Sequence, residues 1–458
     1  MTSHRPRRQA TVDPATLAAA TLEQAKRCGA TSADLLYVEA DSMSVRVRMG
    51  GIERLESAQE KRLGLRCFFG HRSASTSTSD LSADAVIQLV GLTCRLARVT
   101  AEDPFAGLPD PAELATETPD LDLWDEAATR MSADERVTLA KRAEAAALGA
   151  DPRLTNSEGA DCDYGASTVW YAASNGYVGS YRATRTSLSV TPVATQDGQM
   201  QRDYWYSSGR HLAHLQSPEE IGRIAAERTL RRLGARKVTT QQAPVVFDPE
   251  TAAQLLGTIA SALSGYALYR RASFLVDQLG QPVAAPSVTI EDNGTIPQES
   301  GSKPFDGEGL PTRQKLVIEA GVLKSYLLDS YTARKLKLQP TGNATRGVGD
   351  SPGVGPTNFR LLPGTFTARE IIASVPSGLY VTELIGFGIN LATGDYSQGA
   401  AGLWIERGEL AYPVEEVTIA GNLRDMLKQI DAIGNDLPAH RGMASPTIKI
   451  GRLTIAGA

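Results

Sequence analysis

Residues 32–49, SADLLYVEADSMSVRVRM, end in strict alternation, with Met43, Val45, Val47 and Met49 set against Ser44, Arg46 and Arg48. Period two over that length predicts an amphipathic strand, and Gly50-Gly51 predicts a two-residue hairpin turn after it. Arg46 and Arg48 then fall on the outer face, either as a solvated edge or as a contact for a peptide carboxylate or partner. Before this strand, Asp13-Pro14 gives an N-cap and a first-turn proline for a helix that stops at Gly29. After it, Gly64–Phe69 and the hydroxyl run Ser73–Ser79 continue the sheet, and Leu81–Val99 carries apolar residues at helical spacing. The capping box Ser132-Ala-Asp-Glu135 opens a further helix. Residues 153–208 form a strand-rich meander with a turn at Asn175-Gly176, and Ser217-Pro218 caps the helix after it. The strand Pro244–Phe247 leads into Asp248-Pro249, which caps a helix predicted to run from Glu250 to Phe274.

Punctuation divides the chain. Residues 1–11 are polar, basic and without periodicity, which predicts a disordered arm. The prolines of Asp103–Pro119 predict a linker between subdomains 12–102 and 120–236 of an N-terminal domain. Gly234 and the polar stretch Lys237–Gln242 precede a C-terminal domain over 240–458, rich in short strands and glycine turns, as in Gly378–Asn422. The fold class expected is α+β (mixed α/β), an N-terminal α/β domain with a curved sheet followed by a β-rich C-terminal domain.

Composition narrows the function. The 458 residues are 42% hydrophobic and 22% charged with a net charge of −5, the profile of an ordinary globular protein with no whole-chain electrostatic case for nucleic acid. No apolar run approaches the roughly 20 residues of a membrane span, and the basic start lacks the apolar core of a secretory signal. Cys28, Cys67, Cys94 and Cys162 form no CxxC pair and read as free thiols of a reducing compartment. A cytoplasmic location is the expectation.

Candidate chemistry is sparse. Tyr204, Trp205 and Tyr206 beside Arg202 resemble a base-stacking surface, but sheet packing explains them equally and fits the negative charge better. His211 and His214 are spaced to chelate a metal without an evident third ligand, and His440 near Asp436 is a candidate acid–base pair. Gly347–Gly355 is rich in backbone donors but lacks the strand–loop–helix frame and lysine of a P-loop, so it reads as a domain-edge or partner-facing loop. Within Gly378–Asn422, Asn390, Thr393, Asp395, Tyr396 and Ser397 place polar groups amid the meander. They form surface Asx and Ser turns, or the floor of a cleft for a peptide or partner chain.

Long ordered blocks add a resemblance. Gly378–Asn422, Phe274–Gln281, Gly301–Leu336, Thr341–Gly347 and Thr357–Gly364 resemble the PmbA/TldD family, whose older label is modulator of DNA gyrase. The resemblance implies a metallopeptidase of two chain types, in which TldD-like chains carry an HExxxH zinc motif followed by an Arg-Arg pair. Aligning that pair on Arg270-Arg271 places the motif positions at Gly257, Thr258 and Ala262, none of which ligates zinc or acts as a base. Independently of register, none of the five histidines, at 4, 71, 211, 214 and 440, is followed by glutamate, and no cysteine follows Gly434-Asn435-Asp436, where TldD-like chains supply a ligand. The resemblance therefore implies a TldE/PmbA-like chain with no catalytic residue and no metal of its own. Its expected partners are a TldD-like subunit that holds the zinc and unfolded or short peptides, with a homodimer in isolation and neither nucleic acid nor membrane. The alternatives left open are an independent divergent peptidase or amide hydrolase and a stand-alone peptide-binding protein.

Overall fold

The computed structural model describes residues 13–457, so the arm expected over 1–11 lies outside the described residues. The N-terminal half contains α1 (Pro14–Arg27), β1 (Ser32–Arg48), β2 (Gly51–Phe69), β3 (Arg72–Thr78), α2 (Ala83–Val99), α3 (Glu126–Arg130) and α4 (Ala133–Leu148). It continues with β4 (Leu154–Ala173), β5 (Val178–Gln196), β6 (Gln199–Arg202), β7 (Trp205–Gly209) and α5 (Pro218–Leu230). Strands β1–β7 form one antiparallel sheet in the order β3-β2-β1-β4-β5-β6, with β7 also on β5, and it curves as a half-barrel.

The long strands follow from their alternation. Odd positions of β1 point to one face, where Leu35, Tyr37, Leu65 and Cys67 pack with Leu17, Val90 and Cys94 of α1 and α2. Further along the same face, Val45, Val47, Cys162 and Leu188 pack with Val137 of α4 and Ile221 of α5. Both helices begin as their sequences require, with a reciprocal Ser132/Glu135 box on α4 and Ser217 capping α5.

Two expectations are corrected. The β1–β2 turn is Met49-Gly50, with φ of 49° and 77°, and Arg48 pairs with Gly51. A two-residue turn of this hand needs positive φ at both central residues, and register makes Gly51 the first strand residue instead. The edge assigned to Arg46 and Arg48 does not exist, because β4 pairs along β1. Arg46 is held there by Asp161, 115 residues away (2.7 and 3.1 Å), and Arg48 donates to the Ser157 carbonyl. The stretch Asp103–Pro119 is tied down: Arg334 donates to the carbonyls of Phe105, Gly107 and Leu108, and Tyr331 donates to Asp103 at 2.7 Å.

The C-terminal half begins with β8 (Gln241–Phe247), α6 (Pro249–Ala262), α7 (Gly265–Tyr269), β9 (Ile290–Asn293), β10 (Gln314–Glu319) and β11 (Val322–Leu323). There follow α8 (Ser330–Leu336), β12 (Ala344–Thr345), β13 (Gly353–Val354), β14 (Phe359–Leu361), α9 (Ala368–Ala373), β15 (Ser377–Ile385) and β16 (Ile389–Asn390). Last come β17 (Asp395–Glu406), β18 (Glu409–Asn422), α10 (Leu423–Lys428), β19 (Ile430–Ile433), β20 (Met443–Ala444) and β21 (Ile448–Ala456). Strands β15-β8-β21-β18-β17 run in order and close through a β15–β17 pairing, while β11-β10-β9-β14-β20 form a second sheet. The β17–β18 hairpin turns at Arg407-Gly408, both with positive φ. The helix expected to continue to Phe274 breaks after Ala262. Leu327 captures the backbone there, donating to the Leu263 carbonyl and accepting from Gly265 N–H. Gly265 permits the approach, since a Cβ on it would lie 2.3 Å from Thr332 Oγ1.

Candidate functional site

α6 carries Gly257, Thr258 and Ala262, the residues on which the resemblance sets the zinc motif. Gly257 and Thr258 are half-buried, and a Cβ on Gly257 would meet nothing within 4 Å, whereas Ala262 is fully buried. Five residues along a helix turn by about 140°, which separates the first position from the last. Among the described residues, no three His, Cys, Asp or Glu side chains are arranged to hold a metal ion.

Beyond α6, a cavity of about 280 Å³ opens between the N-terminal sheet and α7/α8, lined by Arg66, Phe68, Tyr266, Glu308, Asp329 and Tyr331 among others. Its wall is a buried ion network. Asp34 accepts from Arg66 at 2.5 and 3.1 Å and from Tyr171 at 3.1 Å, lies 2.9 Å from Arg346, and Arg66 reaches Glu308 at 3.7 Å. Burial alone would raise the Asp34 pKa, but Arg346 and Arg66 outweigh it and hold the carboxyl below its usual range. Asp329 goes the other way. Burial first, then the negative Glu308, push it up to about 6, although Thr332 donates to it from N–H (2.7 Å) and hydroxyl (2.6 Å). Two domains thus meet through charges that none of the sequence patterns announced, because Asp34 and Arg346 sit 312 residues apart (346 − 34).

The histidines converge. His214 and His440 stack with centroids 3.6 Å apart and planes within 4°, and His211 lies 5.5 Å from His214. A metal ion sits in the plane of a ligating imidazole, and two parallel planes offer no shared point. Burial, then His440 and His211, lower the His214 pKa. The pairing of His440 with Asp436 is corrected: Asp436 accepts from Thr447 N–H and hydroxyl, while His440 Nδ1 lies 3.6 Å from Glu299. Glu299, also 2.9 Å from Arg360, gave no motif in the sequence.

The meander residues form a self-contained turn. Asn390 caps Ala392 and Thr393, Thr393 donates to Asp395 at 2.6 Å, and Asn422 donates to Asp395 and to the Thr393 carbonyl. Ser397 is exposed, and Tyr396 is 2% exposed in the core with its hydroxyl raised by burial. The glycine-rich loop 347–355 packs on β2, where a Cβ on Gly64 would lie 2.3 Å from Gly349 N.

One further feature concerns the sheet margin. β3 covers β2 only from Leu63 to Phe69, so among the described residues the outer edge of Gly51–Arg62 pairs with no strand.

Three family models match in order: PmbA/TldA metallopeptidase domain 1 over 33–97, the central domain over 126–233 and the C-terminal domain over 240–457. Metalloprotease PmbA of Escherichia coli O157:H7 is 39% identical over 425 residues, covering 93% of this chain and 92% of that one. The chain belongs to the PmbA/TldD metallopeptidase family. A PmbA homolog of Haemophilus influenzae is 35% identical, with 95% and 94% covered. In three dimensions the chain is similar to a candidate modulator of DNA gyrase from Bacteroides thetaiotaomicron (TM-score 0.91, 29% identity, 98% and 100% covered). It also shares the fold of TldE from Thermococcus kodakarensis (TM-score 0.87, 19% identity, 96% and 100% covered). No helix among the described residues is long and apolar enough to cross a membrane.

Proposed function

We propose that this chain is the TldE/PmbA-like, non-catalytic subunit of a cytoplasmic two-chain metalloprotease that degrades unfolded or short peptides and processes peptide precursors. The reading is supported by family membership together with α6, where Gly257, Thr258 and Ala262 fall at the zinc-motif positions once the family's Arg-Arg pair is aligned on Arg270-Arg271. Zinc in the assembly belongs to a TldD-like partner. This chain contributes binding surface, and the unpaired edge of β2 over residues 51–62 supports a mode in which an extended peptide adds as a strand. Backbone pairing of that kind tolerates many sequences.

The test is zinc content and peptidase activity of the purified chain, alone and mixed with a TldD-like chain. Activity in the mixture alone, with no zinc retained by this chain, is expected. Stoichiometric zinc or turnover by the isolated chain overturns the reading. A second reading, an independent divergent peptidase or amide hydrolase, draws on the meeting of His211, His214 and His440; substitution of His440 by alanine then abolishes the isolated chain's turnover.

A further inference from the structure

The cavity between the N-terminal sheet and α7/α8 holds two carboxylates that the chain leaves short of donors. Glu308 and Asp329 are 1% and 0% exposed, yet both line it. Glu308 Oε2 accepts from the Ser330 N–H at 2.8 Å, whereas Oε1 accepts no hydrogen bond among the described residues. The Arg66 guanidinium stays 3.7 Å from Oε1, beyond hydrogen-bond reach, and its Nε and Nη2 both donate to Asp34. Asp329 Oδ1 is filled by Thr332, and Oδ2 has only the Tyr266 hydroxyl at 3.2 Å. That hydroxyl also lies 2.9 Å from the Pro352 carbonyl, and a phenol has one proton to donate. Directed at the nearer carbonyl, it leaves Oδ2 without a donor. A buried carboxylate oxygen in that state is costly unless a group entering the cavity supplies the N–H.

The other polar groups on the wall are already engaged. Asp103 accepts from Tyr331 at 2.7 Å and lies 3.5 Å from Lys335. Arg334 donates to three carbonyls, and the His71 ring meets the Ala106 carbonyl. Arg270 is exposed and donates to the Tyr269 hydroxyl. The buried end is therefore negative, and the two carboxylates are close enough that Glu308, after burial, raises the Asp329 pKa. An anion would meet like charge there, and a metal ion finds no third His, Cys, Asp or Glu beside them among the described residues. A primary ammonium brings positive charge and three N–H donors. Phe68, Tyr266 and Tyr331 offer ring faces or edges to the carbons behind it. At about 280 Å³ the cavity holds a chain end or one side chain, since sites for whole drug-sized ligands run to roughly 300–1,000 Å³.

We propose that this cavity binds a primary ammonium group, the N-terminus of a peptide or a lysine side chain, which donates to Glu308 Oε1 and Asp329 Oδ2. The proposal stands apart from the subunit reading, since it concerns a cation held between the two halves of this chain and not the zinc.

The experiment is fluorescence anisotropy of the full chain with three short alanine–glycine peptides labelled at the C-terminus. One has a free N-terminus and no lysine, one is acetylated and carries a single lysine, and one is acetylated without lysine. Binding of one or both ammonium-bearing peptides, and not of the third, is expected, and which of them binds names the source of the ammonium. Propylammonium chloride should displace the bound peptide, whereas potassium chloride at the same ionic strength should not. Glu308→Gln and Asp329→Asn keep the size of each side chain, and asparagine still caps α8. Each should weaken binding about tenfold or more, as expected for a lost hydrogen bond to a charged group, with folding verified by near-ultraviolet circular dichroism. Absence of binding, equal binding of all three peptides, equal displacement by potassium, or indifference to both substitutions overturns the proposal. The contrast among peptides and salts is read on the unaltered chain, so it decides the question even where a variant does not fold.

Discussion

In the N-terminal sheet the interior is made of alternate strand positions, Leu35, Val45, Val47, Leu65 and Leu188, each fully or almost fully removed from water. Between Ile290 and Asn358 strands are short, and the interior holds Asp292, Glu299, Asp306, Glu308 and Asp329, all at most 8% exposed. Apolar packing is non-directional and fixes a strand by pattern. A buried carboxylate is directional: it fixes whichever backbone N–H groups point at it and is costly if one partner is removed. Asp306 accepts from the N–H of Glu308, Leu310 and Ala344, joining a loop to a strand 38 residues away. The two halves therefore fail differently when cut.

The largest effect is expected at Asp292. It accepts from Thr357 N–H and hydroxyl (2.7 and 2.8 Å) and from Asn343 (2.8 Å), and it pairs with Lys315 at 2.8 Å. Asp292→Ala leaves the Lys315 ammonium buried and unpaired, a loss of about 3–5 kcal/mol read as a lower urea midpoint. In the N-terminal sheet, Leu65→Ala should remove roughly 3 kcal/mol through the cavity it leaves. If Asp292→Ala proves milder than Leu65→Ala, the carboxylate network is decoration on an apolar core and the contrast between the halves collapses.

Titration sharpens the contrast. Burial raises Asp306 to about 6, ahead of the negative Glu308 beside it, so the folded state binds a proton that the unfolded chain has released. Stability from this group is therefore greatest below about pH 4 and declines as pH rises through 4–6. Two pKa units correspond to at most roughly 3 kcal/mol. Asp34 has the opposite sign: held low by Arg346 and Arg66 against its burial, it adds stability above the ordinary carboxylate range that is lost on acidification. Asp306→Asn should flatten the decline between pH 4 and 6, whereas Asp34→Asn should flatten the acid-side loss. Identical pH profiles for both variants would show that neither carboxylate titrates in its proposed sense.

The same contrast explains what was legible in the sequence. Alternation at Met43–Met49 announced β1, and Ser132-Ala-Asp-Glu135 announced α4, because both signals are local. Arg46 read as an edge residue because its partner, Asp161, belongs to a strand that pairs only in three dimensions. The break after Ala262 was hidden for a similar reason, since Leu327 takes the backbone hydrogen bonds from 64 residues away (327 − 263). His211 and His214 were visible as a spaced pair and His440 by itself, but the stacking of His440 on His214 and the approach of Glu299 to His440 join segments more than 100 residues apart. Local signals announced α6 itself, with Asp248 capping it, whereas the register that sets Gly257, Thr258 and Ala262 against a zinc motif comes from the family resemblance alone.

The smallest expected effect tests whether the contrast belongs to burial or to the half of the chain. Ser132 and Thr367 cap helices in the N- and C-terminal halves with the same exposed reciprocal box, closed by Glu135 and Glu370. The hydrogen bonds match: 3.2 Å from each N3 N–H to the capping hydroxyl, and 2.7 and 2.8 Å from each cap N–H to the glutamate. Burial being equal, Ser132→Ala and Thr367→Ala should each remove about 1 kcal/mol, measured as equal shifts of the urea midpoint. A markedly larger loss at Thr367 would mean that even surface turns of the C-terminal half are coupled to its buried carboxylates. Equal losses would confine the directional mechanism to Asp292, Asp306 and their buried neighbours.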